Sequence, residues 1–274
     1  MGLDTSKQSI REMPAGADEP LETTVVAVAN QKGGVGKTAT AVNVAAGLAN
    51  LAMQTLLVDL DPQGNATSAL GLPLRRLGAY ELLNGKSSLG DATVESGRER
   101  LNLMPACEDM AALELEVGGE PDRNERLRKC LAAATGAYRY VVLDCPPTLA
   151  LLTINGLMAA NEVLVPVQCE YLALEGLVRF VTTLDTVSEI RGEGPLRRRY
   201  LMTMYDRRTR LSREVVEDMR GHFGHEVVRS VIPRSVRLAE APGFGRTIFE
   251  HDPGGAAASA YRTLCKEICG ATEA

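Results

Sequence analysis

Residues 29–40 read "ANQKGGVGKTAT", and the fold class turns on that stretch. Gly36, Lys37 and Thr38 fit the closing positions of the phosphate-binding pattern G-x-x-x-x-G-K-[ST]. The pattern's leading glycine, however, falls on Gln31, and a second lysine, Lys32, follows it. Upstream lies the apolar run "TVVAVAN" (24–30). Downstream, "TATAVNVAAGLANLA" (38–52) places Ala41, Val42, Ala45, Leu48, Ala49 and Ala52 at three- and four-residue spacing. A strand running through a glycine-rich loop into a helix is the context a phosphate loop needs. Gly33, Gly34 and Gly36 let backbone N–H groups converge on phosphate oxygens, and the helix N-terminus adds partial positive charge. Lys37 is then expected to bridge the β- and γ-phosphates, and Thr38 to give its hydroxyl to Mg2+.

Working outward, further apolar runs follow at 55–60, 101–106, 138–144, 162–167, 199–204 and 226–232. They are rich in Val, Leu and Ile with little polar alternation, as in strands buried on both faces. Helical patterns lie between them at 122–134, 174–190 and 212–223, the last with Ser212 as its expected N-cap. A final one at 256–270 ends on Gly270. The alternation predicts an α/β fold of the P-loop NTPase type, a mostly parallel twisted sheet with helices on both faces. Residues 1–23 are polar, carry Pro14 and Pro20, and are expected to form a flexible tail ahead of a single domain at 24–274.

Composition narrows the function. No run of 18 apolar residues exists, so no spanning helix is expected. The N-terminus lacks the apolar core of a secretory signal, which predicts a cytoplasmic protein. Cysteines 107, 130, 145, 169, 265 and 269 are scattered, and His222, His225 and His251 do not complete a metal set with them. Reduced structural thiols are the expectation. The net charge of −5 argues against nucleic acid until its distribution is read. From Glu189 to Arg246 there are 13 Arg, no Lys and 8 acidic residues, a local +5 that leaves −10 for the rest. Such a segment is either a solvated, ion-paired surface or a phosphate-binding one, and Arg is the side chain suited to forked phosphate contacts.

Two acidic motifs supply the rest of the chemistry. "LLVDLDPQGN" (56–65) sets Asp59 and Asp61 two apart at a strand end, on one face. "YVVLDCPP" (140–147) ends a strand in Asp144, an acid placed to hold Mg2+ through a water opposite Thr38. Pro146 and Pro147 stiffen the turn after it.

With Lys32 ahead of it, the loop "KGGVGKT" resembles the deviant Walker A of the ParA/MinD class of P-loop ATPases. The stretches "LLTINGL", "VLVPVQCEYLALEGL", "LMTMYDRRT" and "VIPRSVRLAEAP" resemble its ParA/Soj partition branch, so that the likeness covers about residues 24 to 270. The resemblance implies that Lys32 reaches across an ATP-dependent homodimer to the partner's phosphates, doing the work of an arginine finger. It implies that Asp61 orients the attacking water, with water-mediated Mg2+ ligation as the alternative, and that Gln63 and Asn65 lie in a switch-like loop. Asp59 is expected to be structural or to support the residues that touch the nucleotide. Val35 and Ala39 complete the nucleotide loop, and Pro233 joins the nucleotide-binding set. Ala39 stands where the family often has Thr or Ser, which removes one hydroxyl contact to the α-phosphate. The implied partners are a second copy of the chain, double-stranded DNA bound without sequence preference through Arg208 and Arg237, and a ParB-type protein that stimulates hydrolysis. The loop 251–261 is smaller and less basic than usual in the family, so no contact is carried over from it.

Relatives of the same fold set the alternatives. A MinD-like membrane-surface ATPase needs a basic amphipathic C-terminus, but "LCKEICGATEA" has one Lys against two Glu. An iron-protein-like reductase needs paired cluster cysteines, which the spacing does not offer. A ParA relative that positions another cargo on the nucleoid has an indistinguishable core.

Overall fold

The computed structural model describes residues 22–74, 77–171, 173–192 and 194–270. Residues 1–21 of the expected tail lie outside the described residues. The Thr23 hydroxyl donates to the Tyr138 carbonyl at 2.7 Å, so the chain is already tied down before the first strand.

The strands are β1 (Thr24–Val28), β2 (Thr55–Asp59), β3 (Val94–Arg98), β4 (Leu101–Met104), β5 (Tyr140–Asp144), β6 (Glu162–Gln168), β7 (Arg197–Tyr205) and β8 (Val227–Pro233). They form one sheet in the order β3-β4-β2-β5-β1-β6-β7-β8. Every pairing is parallel except β3 with β4. All seven apolar runs became strands. The eighth, β3, reads "VESGR" and had no apolar signature to find. It lies on the sheet edge, only Ser96 within it is buried, and its register shifts between Glu95 and Arg98.

Period-two side-chain alternation divides the core between the two faces of the sheet. Val25 and Ala27 join one buried cluster, with Leu56, Val141 and Phe180. Val26 and Val28 join the other, with Leu57, Val142 and the helices Lys37–Asn50 and Ala256–Ile268. The strands therefore need apolar residues at consecutive positions, which is why they lack polar alternation. Helix 122–134 is shorter than its pattern, an α-helix at Arg126–Leu131 followed by a 3-10 turn at Ala132–Ala134. The expected cap at Ser212 is corrected: the helix runs Arg210–Phe223 and Thr209 caps it, its hydroxyl accepting the Ser212 N–H. Ser212 is buried inside the first turn. The C-terminal helix ends as read, with Gly270 in the left-handed region (φ 70°) just past it.

Candidate nucleotide site

Parallel pairing puts the carboxyl ends of β1, β2 and β5 side by side. Val28 pairs with Asp144, and Asp144 with Asp59. The glycine-rich loop leaves β1 at this edge and Gly36 passes it into the helix Lys37–Asn50. Gly34 (φ 74°) and Gly36 (φ 91°) are left-handed, a conformation side chains resist. A Cβ on Gly33 would meet nothing within 4 Å, so the space beside it is open to a ligand.

The loop is held from two sides. Asn30 Nδ2 donates to the Pro166 carbonyl (2.8 Å) while its Oδ1 accepts the Lys32 N–H (3.0 Å). The Thr203 hydroxyl on β7 donates to the Val35 carbonyl (2.9 Å). Neither Asn30 nor Thr203 is among the residues expected from the sequence. An Asn two residues ahead of the turn it bonds is a recognisable Asx signal, whereas Thr203 had none.

A cavity of about 680 Å3 is lined by Gly33, Gly34, Gly36, Lys37, Thr38, Ala39, Asp61, Pro62, Gln63, Asn65 and the Pro146–Thr148 turn. It brings together the loop and both acidic motifs. A second cavity of about 360 Å3 meets the loop at Gly36 and Ala39 and is lined by Thr203, Ile232, Pro233, Val236 and Leu238. Pro233 therefore sits beside the loop in space, 197 positions downstream of Gly36 in the chain. The first-turn N–H groups of the helix have no acceptor within it and point to this end.

Electrostatics fits a cation and a polyanion. Asp144 is fully buried, and among the described residues neither carboxylate oxygen has a partner at full hydrogen-bond geometry, the Thr38 hydroxyl being its polar neighbour. Burial drives its pKa well above the usual carboxylate range, and the charges of Asp59 and Asp61 push the same way. The Thr38 hydroxyl and Lys37 ammonium pull it back. An orphaned, buried carboxylate beside a threonine hydroxyl is a donor set suited to Mg2+. Burial lowers the pKa of Lys37, opposed by the charges of Asp144 and Asp61.

Asp59 and Asp61 divide their work. Asp59 accepts from the Thr67 N–H (2.8 Å), the Thr67 hydroxyl (2.7 Å) and the Asp61 N–H (3.2 Å), a structural role as expected. Burial still raises its pKa to about 6. Asp61 lines the cavity, and its Oδ1 accepts the Gln63 N–H at 3.0 Å. Asn65 opens a five-residue helix, Asn65–Ala69.

Arg208 and Arg237 follow β7 and β8, whose ends Tyr205 and Pro233 pair, so both stand at the nucleotide edge of the sheet. Their side chains are 83% and 65% exposed, and each faces one carboxylate, Asp206 at 2.7 Å and Glu240 at 3.2 Å. The arginine-rich segment is not one patch. Arg197, Arg199, Arg220 and Arg229 line a separate cavity at the far end of β7. Nine residues of strand put that end about 26 Å away.

A family model described as an AAA domain matches residues 23–193. The chromosome-partitioning ATPase Soj of Thermus thermophilus is 49% identical over 245 residues, covering 89% of this chain and 94% of the relative. The chain belongs to the ParA/Soj family of partitioning ATPases. The chromosome partitioning protein ParA of Caulobacter vibrioides is 44% identical over 255 residues, covering 89% and 93%. Among solved structures, one titled cobyrinic acid a,c-diamide synthase, from Mycobacterium smegmatis with bound ATP analogue and magnesium, is 36% identical. Its TM-score is 0.78, and the match covers 92% of this chain and 97% of that one. The ParA/Soj core thus spans nearly the whole described chain, and the P-loop ATPase reading of residues 29–40 holds. No helix among the described residues is long and apolar enough to cross a membrane.

Proposed function

We propose that this chain is a partition ATPase acting in the cytoplasm on the nucleoid. It binds ATP with Mg2+, dimerises around two nucleotides, binds DNA without sequence preference, and hydrolyses ATP when a ParB-type partner stimulates it. The observation that carries the reading is the buried Asp144 carboxylate beside Thr38, two residues before the Pro146–Pro147 turn that lines one cavity with the glycine loop and Asp61. Bound Mg-ATP supplies the γ-phosphoryl group for transfer to water. This chain's residues hold it: loop N–H groups and Lys37 on the phosphates, Thr38 and Asp144 on the cation, Pro233 in the adjoining apolar cavity. Asp61 orients the water, and Lys32 serves the partner's nucleotide. Light scattering of the full chain with ADP or ATP, together with phosphate release with and without duplex DNA and partner, tests it. A protein that stays monomeric in ATP and releases no phosphate would overturn the proposal.

A further inference from the structure

Arg98 closes β3, the edge strand, and its guanidinium is bonded on every side. Nε donates to both oxygens of Glu250 (3.0 and 3.1 Å). Nη2 donates to Glu250 Oε2 (3.0 Å) and the Gly245 carbonyl (2.8 Å). Nη1 donates to the Leu70 and Ser96 carbonyls (both 3.1 Å). Apart from Ser96 of its own strand, the acceptors belong to two distant stretches. Leu70 caps the helix Asn65–Ala69 that follows Asp61 and Gln63, while Gly245 ends the 3-10 turn Ala241–Phe244 and Glu250 lies in the short helix Ile248–His251.

These two stretches also touch backbone to backbone. Gly71 (φ 77°) and Gly245 (φ 62°) are packed so closely that a Cβ on Gly245 would stand 2.7 Å from the Gly71 Cα. No side chain cushions the contact, so displacement of one glycine must move the other. Asn43 on the phosphate-loop helix ties down the same turn, its Oδ1 accepting the Ile248 N–H at 2.8 Å. Just upstream, the helix Val236–Glu240 runs without a break into the 3-10 turn Ala241–Phe244, so Arg237 is rigidly joined to Gly245.

We propose that Arg98 is a positioning residue that transmits the state of segment 61–71 to segment 236–250. The carboxylate and amide that face the nucleotide cavity, Asp61 and Gln63, stand at one end of the first segment, and Arg98 grips its other end. The planar guanidinium holds Leu70 O and Gly245 O in one fixed geometry, which a single ammonium cannot do. Nucleotide-dependent movement of the loop is thereby passed to the segment that carries Arg237. The inference rests on the nucleotide site described above, and not on DNA being the partner.

The test is amide hydrogen exchange on the full chain with ADP and with a non-hydrolysed ATP analogue. The wild-type protein is expected to show a nucleotide-dependent difference at both 61–71 and 236–250. Arg98→Lys should keep the difference at 61–71, keep its nucleotide affinity, and lose the difference at 236–250 by about threefold or more. Gly71→Ala attacks the same contact from the other side and should give the same pattern, with melting curves separating lost relay from lost fold. An undiminished response at 236–250 in a folded Arg98→Lys protein, or no response there in wild type, overturns the proposal. Failure of the wild-type protein to bind duplex DNA would count against the DNA reading alone.

Discussion

The two lysines of the phosphate loop do different things: the Lys37 ammonium donates to the Lys32 carbonyl at 2.9 Å, while the Lys32 ammonium turns away to Glu170 at 3.7 Å. Lys37 is 8% exposed and lines the cavity, so its charge already faces the phosphate position. Among the described residues the Lys32 ammonium pairs with Glu170 alone, a part-exposed contact worth at most about 1 kcal/mol. Lys37→Ala should weaken ATP binding about 100-fold or more, since two or more charge-assisted hydrogen bonds go. Lys32→Ala should leave most nucleotide affinity and instead reduce dimerisation and turnover. Glu170→Gln, which releases Lys32, should strengthen the ATP dimer by no more than about fivefold. Titration of a fluorescent nucleotide beside sedimentation in ATP separates the cases, and equal loss of nucleotide affinity in both lysine variants would end the cross-dimer role.

Asp61 has one oxygen committed to the Gln63 N–H and lines the cavity opposite the loop. Asp61→Ala should preserve ATP binding and the dimer while cutting turnover about 100-fold or more, as loss of a water-orienting base does. Phosphate release with partner present checks this. A wild-type rate in the variant would move the role to Asp144.

The acidic pair of β2 and β5 makes the site a stability liability. Burial pushes the Asp59 carboxyl up to about 6 in the fold against 3.8 free, and burial raises Asp144 as well. A carboxyl whose pKa is raised by folding binds more protons folded than unfolded. Its favourable contribution is complete below pH 4 and is lost as pH rises through about 6, the window in which the nucleotide-free protein should become easier to unfold. Asp144→Asn replaces a buried carboxyl, which burial and two neighbouring carboxylates penalise when ionised, with a neutral group of the same shape. It should raise the melting temperature of the nucleotide-free protein by about 2–4 °C at pH 7 and abolish stabilisation by Mg2+ with nucleotide. Unchanged Mg2+-dependent stabilisation in that variant would show that Asp144 does not hold the cation.

Much of this was legible in the sequence because its signals are local. Doubly buried strands announce themselves as Val- and Leu-rich runs, and Gly34 and Gly36 sit where left-handed backbone is required. What escaped depends on distance in the chain. β3 has one buried residue and no apolar run, so "VESGR" carries no strand signal until β4 pairs with it. Ser212 resembled a cap, but Thr209 lies three residues earlier and its hydroxyl reaches the right N–H. The arginine count between Glu189 and Arg246 was correct as a sum and misleading as a surface. The nine-residue β7 separates Arg197, Arg199, Arg220 and Arg229, at one end of the sheet, from Arg208 and Arg237 at the other.

That division bears on DNA, where charge arithmetic sets what should be observed. At net charge −5 the chain is repelled by DNA on average, so the proposed DNA binding needs a local arginine patch, and the nucleotide edge is the one proposed. Arg208 and Arg237 are exposed there, each offset by one carboxylate, and a single protomer offers few phosphate contacts. Dimerisation places two such edges on one body and makes the second contact effectively intramolecular. Binding should therefore require ATP, ignore sequence and fall steeply with salt. Arg208→Ala or Arg237→Ala should lower affinity alike on unrelated duplexes. Each lost phosphate contact should flatten the slope of log K against log salt by about 0.9, counted once per protomer. Arg220→Ala and Arg229→Ala, at the far end of β7, should leave that slope unchanged. Anisotropy titrations at several salt concentrations, with ATP and with ADP, read all of this directly. Tight binding without ATP, or a slope altered by Arg229→Ala and not by Arg237→Ala, would place the DNA on the opposite end of the sheet.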